Sequence, residues 1–221
     1  MKSKLISILY FLFALLSSLN AQSIITPDLK TTIDGTGWKG KFTLAELTKK
    51  DSSDAIMITK TDADEIVWLE NFTFICGTIE FDAKGKSAPP QSSFVGIAFR
   101  VVDQTTYDAI YFRPFNFHSP NPVNKSHAVQ YTSRPYWTWK RLRDEHTGEY
   151  EKGIEPAPNG DEWFHAKIVI KKPEMKVYVN GASNPSLIVN ELSNRKDGSV
   201  GLLCNGFGII ANLKIEQLIN K

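Results

Sequence analysis

The chain has 221 residues, 26 Lys and Arg against 24 Asp and Glu, 42% hydrophobic residues and two cysteines. Its length fits one large all-β domain or one ordinary α/β domain. The near balance of charge excludes the basic surface a nucleic-acid binder needs to displace counterions, and two cysteines cannot make a disulfide framework.

In chain order, the first stretch is MKSKLISILYFLFALLSSLNAQS. Lys2 and Lys4 precede an apolar run over residues 5–16, which is far shorter than the roughly 20 residues a membrane span needs. Ser17, Ser18 and Ala21 then supply small residues, which predicts a signal peptide over residues 1–21 and a new N-terminus at Gln22. The alternative, an uncleaved anchor, lacks a following stop-transfer pattern, and no cysteine marks a lipid anchor. The expected protein is secreted or periplasmic, with no membrane insertion once the leader is gone. Losing Lys2 and Lys4 leaves 24 basic and 24 acidic residues, so no nucleic-acid partner is expected. Residues 22–221 show no repeat, linker or composition break and read as a single domain.

From there the dominant period is two. GTIEFDAKG alternates, FVGIAFRVVD and YDAIYFRPF flank DQTT as a hairpin, and EWFHAKIVIKK places Phe164, Ala166, Ile168 and Ile170 on one side. EMKVYVNGAS and DGSVGLLCNGFGIIANLKIEQL continue the pattern, with turn signals at Asn180-Gly181 and Asp197-Gly198. Only LAELTKK and residues 187–192 suggest a helical turn. Many short strands without βα alternation predict an all-β fold, a two-sheet antiparallel jelly-roll sandwich. Cys76 and Cys204 fall in strand-like segments; an exported chain could bridge them, and two buried thiols are the alternative.

With the hairpin turn centred between Gln104 and Thr105, Ile97 and Phe99 face Phe112 and Ile110 on an apolar side. Gly96, Ala98 and Arg100 then share the other side with Ala109, Tyr111 and Arg113. Small residues beside arginines and a tyrosine suit either a ligand face or a buried arginine network. A one-residue slip would exchange the sides.

QYTSRPYWTWKRLRDEHTGEYE, residues 130–151, then gathers five aromatics, four basic residues and four acids. Sugars offer C–H patches to aromatic rings and hydroxyls to amide and charged side chains, so a sugar site mixes these residue types. Trp137 and Trp139, two apart, would form a platform if the segment is extended, with Tyr131 also stacking. Arg100, Tyr111, Arg113, Asn116, His118, Gln130 and Arg134 complete the expected carbohydrate-binding set. The alternative is that the aromatics pack a long loop onto the sandwich.

Other chemistries are less well represented. His118, His127, His146 and His165 have no zinc-ligand spacing, and GxSxG, P-loop and GxGxxG motifs are absent. A glycosidase or lyase would need a pair of carboxylates, for which Glu80 with Asp82, or Asp108 with Glu149 or Glu151, are the candidates, with His118 as a further catalytic candidate.

GTIEFDAKG, FVGIAFRVVDQTTYDAIYFRPFNF, HAVQY, EWFHAKIVI, VYVNG and GSVGLLCNGFGIIANLKI together resemble the laminin-G-like members of the concanavalin A-like lectin/glucanase superfamily. The likeness extends from about Trp38 to Leu218 and is nearest to exported bacterial domains that neighbour the 3-keto-disaccharide hydrolase family. It implies a two-sheet jelly roll that takes an oligo- or polysaccharide, and it admits calcium, although no acid-rich EF-hand loop is present. The glucanase branch uses E-x-D-x-x-E, which this chain lacks. The expected function is carbohydrate binding in polysaccharide recognition or utilisation. The alternatives are a glycan-cleaving hydrolase or lyase at the same site, and a cell-surface protein-interaction module.

Overall fold

The structure, a computed structural model, describes residues 21–219 apart from residue 62. The expected leader lies outside the described residues except for Ala21, which opens the first strand. Among the described residues no helix is long and apolar enough to cross a membrane.

These residues form β1 (Ala21–Ile25), β2 (Trp38–Lys39), β3 (Leu44–Lys50), β4 (Ser53–Lys60), β5 (Glu65–Leu69), β6 (Gly77–Lys84), β7 (Ser93–Asp103) and β8 (Thr106–Phe112). After a short helix, α1 (Pro122–Lys125), come β9 (Val129–Arg134), a second helix, α2 (Trp139–Glu145), and β10 (Glu151–Lys152). The chain ends with β11 (Phe164–Lys171), β12 (Glu174–Val179), β13 (Leu187–Asn190), β14 (Ser199–Gly206) and β15 (Gly208–Ile219). They build two antiparallel sheets. The eight-stranded sheet runs β13-β12-β11-β6-β15-β4-β3, with β1 also on β15, and the seven-stranded sheet runs β10-β9-β8-β7-β14-β5-β2.

Alternation closes the sandwich. Ile79 and Phe81 of β6, Phe164, Ala166, Ile168 and Ile170 of β11, and Met175 and Val177 of β12 meet Val95, Ile97, Phe99, Ile110, Phe112, Val200 and Leu202 in one buried core. Each strand therefore points every second residue inward, as two stacked sheets require. The seven-stranded sheet is buried on its outer face too, where Ile66, Ala98, Val101, Tyr107, Ala109, Tyr111 and Leu203 form a second cluster. That outer face carries the site described below.

The two segments expected to hold helical turns are strands. LAELTKK is β3, paired with β4, and residues 187–190 are β13, paired with β12. Ladder partners outweigh a local helical preference in segments this short. The reverse holds over residues 139–145, where an expected extended run is helix α2, capped by the Thr138 hydroxyl accepting from the Arg141 amide at 3.2 Å.

The β7–β8 hairpin turns between Gln104 and Thr105, with Asp103 opposite Thr106. Its pairing nonetheless shifts within residues 99–103, so Ile97 faces Ile110, and Phe99 faces Asp108, not Ile110. An offset of two residues preserves the sides, so Gly96 and Ala98 still share the outer face with Ala109 and Tyr111. Arg100 does not join them. It sits within the irregularity at φ 49°, and its side chain is wholly buried.

Of the two readings of the cysteines, the bridge is not formed: Cys76 and Cys204 are both free, Cys204 buried and Cys76 partly so. Cys204 lies against Gly208 at the start of β15, whereas the Cys76 carbonyl accepts from Leu218 near its end. The ten residues between those anchors span roughly 30 Å of strand, far beyond the reach of a disulfide.

Candidate functional site

The outer face of the seven-stranded sheet is laid out by register. Asn205 of β14 stands beside Phe94 of β7, and Leu203 beside Gly96, which faces Tyr111, which faces Gln130, which faces Glu151. Gly96 has no room for a side chain: a Cβ there would sit 2.2 Å from the Ile110 carbonyl oxygen. Above this floor opens a cleft of about 240 Å³. Phe94, Tyr111 and Arg113 line it from the sheet, and Asp64 and Asn205 from one side. Phe115 and Asn116 enter from the short 3-10 turn after β8, Asn124 from α1, and Trp139 and Arg143 from α2. Gln91 and His127 complete the polar lining.

Buried polar contacts hold this lining in place. Arg113 donates from Nη2 to the Tyr111 hydroxyl at 3.0 Å and to Gln130 Oε1 at 3.2 Å, and from Nη1 to the His127 carbonyl at 2.9 Å. Its guanidinium lies 5.0 Å from the Tyr111 ring centre. Glu151 is the hub behind the wall. Arg143 clamps it with Nε at 2.8 Å and Nη2 at 2.6 Å, His127 Nε2 lies 3.2 Å away, and Arg113 Nη1 lies 3.6 Å away. The fork geometry makes the Arg143 pair the strongest of these. Trp139 stands one helical turn before Arg143, with the guanidinium 5.0 Å from its ring, and remains 44% exposed at the rim.

Burial holds His127 below the ordinary imidazole value; Arg143 and Arg113 act in the same direction, while Glu151 opposes them. The imidazole is therefore neutral at pH 7. Burial pushes the Tyr111 phenol up to about 12, so it stays protonated and can both donate and accept. Together the cleft offers apolar rings, amides, a phenol, one exposed carboxylate (Asp64) and rigid cationic donors.

Of the expected carbohydrate-binding residues, Tyr111, Arg113, Asn116 and Trp139 meet in this cleft. Gln130 lies beneath Arg113, and its amide is spent on the Tyr131 and Tyr150 carbonyls. The others are elsewhere. Trp137 does not share a platform with Trp139, because α2 begins between them and turns the two rings apart. Trp137 packs instead against Tyr136, Arg141 and His146. Tyr131 is fully buried on the inner face. Arg134 lies four residues along β9 from Gln130, opposite Tyr107, and His118 is exposed in the turn after the 3-10 segment.

Arg100 and Asp108 belong to a buried network at the inner edge of the seven-stranded sheet. Asp108 contacts Arg100 Nε at 3.2 Å and accepts from Arg195 Nη2 at 2.8 Å, from the Tyr131 hydroxyl at 3.0 Å and from Ser193 Oγ at 2.7 Å. Arg100 also pairs with Glu191. This network straps the segment after β13 to the sheet and leaves Asp108 with no access to a substrate. Glu80 is on the opposite sheet, where its carboxylate flanks His165 Nε2 at 3.3 Å while Asp82 holds Nδ1 at 2.8 Å. Glu80, Asp108 and His118 therefore do not converge. Among the described residues, no three His, Cys, Asp or Glu side chains converge as a metal site.

The sequence reading missed Asp64, Gln91, Phe94, Phe115, Asn124, His127, Arg143 and Asn205 in the lining, and it weighed Glu151 only as a carboxylate partner of Asp108, from which the structure separates it. Two of these had a signal: Phe94 shares the strand parity of Gly96 and Ala98, and Arg143 follows Trp139 at helical spacing.

No family model and no curated protein matches the sequence. Among solved structures, the chain is similar to the carbohydrate-binding module CBM66 of Bacillus subtilis at 14% identity and TM-score 0.55, covering 81% of this chain and 95% of that one. It is similar to a Bacillus subtilis protein of galectin-like fold at 12% identity and TM-score 0.55, covering 88% and 94%. A β-glucanase of Bacillus licheniformis follows at 12% identity and TM-score 0.51, covering 82% and 92%. With two antiparallel sheets around one core and these structural neighbours, the chain has a two-sheet antiparallel jelly-roll fold.

Proposed function

We propose that this chain is an exported carbohydrate-binding domain and that the cleft on its seven-stranded sheet takes a short stretch of an oligo- or polysaccharide. The observation that carries the reading is the composition of that cleft, in which the exposed Trp139 ring and Phe94, Tyr111 and Phe115 alternate with Asn116, Asn124, Asn205, Asp64 and Arg143. Rings pack on the C–H faces of a sugar, the carboxylate and amide oxygens accept from its hydroxyls, and the amide NH2 groups and guanidinium donate to them. A carbohydrate-binding module and a β-glucanase among the structural neighbours support the same class of ligand. Placement among exported laminin-G-like domains near the 3-keto-disaccharide hydrolase family belongs to this proposal and rests on the strand motifs quoted above. So does export, which rests on residues 1–21.

Binding is favoured over cleavage. Hydrolysis by two carboxylates needs both free to act on the glycosidic bond, and here Asp64 lines the cleft while Glu151 is bonded through both oxygens to Arg143. The test is a polysaccharide pull-down and glycan array on the chain and on Trp139→Ala, with each bound polymer assayed for new reducing ends or unsaturated products. Binding that is lost in Trp139→Ala, without product, is the expected result. Unchanged retention by Trp139→Ala would sink the proposed site, and product release would make the protein an enzyme.

A further inference from the structure

Among the described residues, three formal charges line the cleft, Asp64, Arg113 and Arg143, and a fourth, Glu151, stands behind its wall. Arg113 and Arg143 are positive, Glu151 and Asp64 negative. The same four act on the Tyr111 phenol at the centre of the floor. They sum to zero, and their arrangement is as telling as their sum. The Nε and Nη2 edge of Arg143, the edge that would clamp a ligand carboxylate or sulfate, is already filled by Glu151. Arg113 is committed to Tyr111, Gln130 and the His127 carbonyl. The accessible carboxylate, Asp64, is held toward the cleft by the Asn205 amide at 2.9 Å and would repel an anion.

We propose that the cleft selects uncharged glycans, and that Glu151 sets this selectivity by occupying the Arg143 fork and cancelling its charge while Asp64 repels acidic sugars. The inference rests on the carbohydrate reading of the site and adds the class of sugar. Glu151 itself does not line the cleft, so it acts through Arg143, Arg113 and His127 as a positioning residue. Its role comes from β10, which pairs with β9 and sets Glu151 opposite Gln130.

The test is affinity electrophoresis of the chain through gels holding a neutral polymer (arabinan, mixed-linkage β-glucan or mannan) or an acidic one (polygalacturonate, alginate or chondroitin sulfate), at low and high salt. Wild type is expected to be retarded by at least one neutral polymer and about tenfold less by every acidic one. Glu151→Gln and Asp64→Asn each make the cleft one unit more positive, and each should raise retention on an acidic polymer by about tenfold at low salt. That gain should vanish at high salt. Should Glu151→Gln fail to fold by circular dichroism, Asp64→Asn carries the test, because Asp64 is exposed and an asparagine still accepts from Asn205. Acidic polymers retained by wild type as well as neutral ones would overturn the proposal, and so would unchanged acidic retention in the folded variants. Retention by no polymer of either class would instead remove the carbohydrate reading on which it stands.

Discussion

Replacing Asp108 with asparagine separates two accounts of the same residue. As a catalytic acid, Asp108 would lose turnover and keep its stability; as the structure places it, it should do the opposite. Its carboxylate answers Arg100, which is 0% exposed, and Arg195, 18% exposed in its side chain, at 3.2 and 2.8 Å. Asparagine keeps the shape but removes the charge, and its single amide oxygen can accept only one of the bonds that Tyr131 and Ser193 now donate to the two carboxylate oxygens. One carboxylate, Glu191, then remains against two guanidinium groups. Breaking a buried pair on one side costs about 3–5 kcal/mol, chiefly because a charge is left uncompensated. At about 2–4 °C per kcal/mol for a domain of this size, the midpoint should fall on the order of 6–20 °C. Urea unfolding monitored by tryptophan fluorescence should show a lower midpoint at an unchanged slope. A loss under about 1 kcal/mol, with the fold retained, would refute the reasoning. The triple variant Arg100→Met/Asp108→Leu/Arg195→Met should recover part of the loss, since apolar replacement of a whole buried network is far less costly than halving it.

The two neighbouring tryptophans should part company. Trp139→Ala should weaken glycan binding by about tenfold and cost no more than about 1 kcal/mol of stability, whereas Trp137→Ala, which removes the packing partner of Tyr136, Arg141 and His146, should cost about 2–4 kcal/mol and leave affinity within about threefold. Equal effects on binding would contradict the separation of the two rings. His127, held below its ordinary 6.5 by burial, leaves the unfolded chain to take up the proton first. Its contribution to stability is therefore present above about pH 6.5 and lost as pH falls through the depressed folded value; an imidazole resonance titrating above 6.5 in NMR would reverse that sign. Two free thiols should react with Ellman's reagent after denaturation without reductant, and the native chain should react at Cys76 first, since Cys204 is fully buried and its thiol is pushed up by that burial. Fewer than two thiols in the denatured chain would contradict the roughly 30 Å separation along β15.

The alternation in EWFHAKIVI, FVGIAF and YDAIYF was enough to give a two-sheet sandwich and the identity of its core. Side-chain direction along a strand is a local property of period two. For the same reason the pairing shift in the β7–β8 hairpin, an offset of two residues, left the assignment of faces intact for Gly96, Ala98, Ala109 and Tyr111, though not for Arg100 inside the irregularity. The candidate cleft was legible in part. Tyr111 and Arg113 were placed there by type and parity and Asn116 and Trp139 by type alone, but Trp137 was misplaced because a segment with proline and two tryptophans carries no period, and α2 starts within it.

What the amino-acid sequence determined by itself is therefore what a strand or a charge count can carry locally: all-β architecture, the inward faces, the near-neutral balance and the aromatic-rich run. What only the tertiary structure decided is which polar residues are available. Arg100 and Arg113 look alike in sequence, two positions on facing strands of one hairpin. The backbone irregularity at φ 49° sends Arg100 inward to Asp108 and Glu191, while Arg113 continues the outer row into the cleft. Asp108 and Glu151 likewise take different roles from their partners: Arg100 and the sequence-distant Arg195 bury Asp108 in the interior, while Arg143 of α2 holds Glu151 behind the cleft wall. A buried charge takes its role from the groups that compensate it, and those are chosen by the packing of distant segments, which no local pattern encodes.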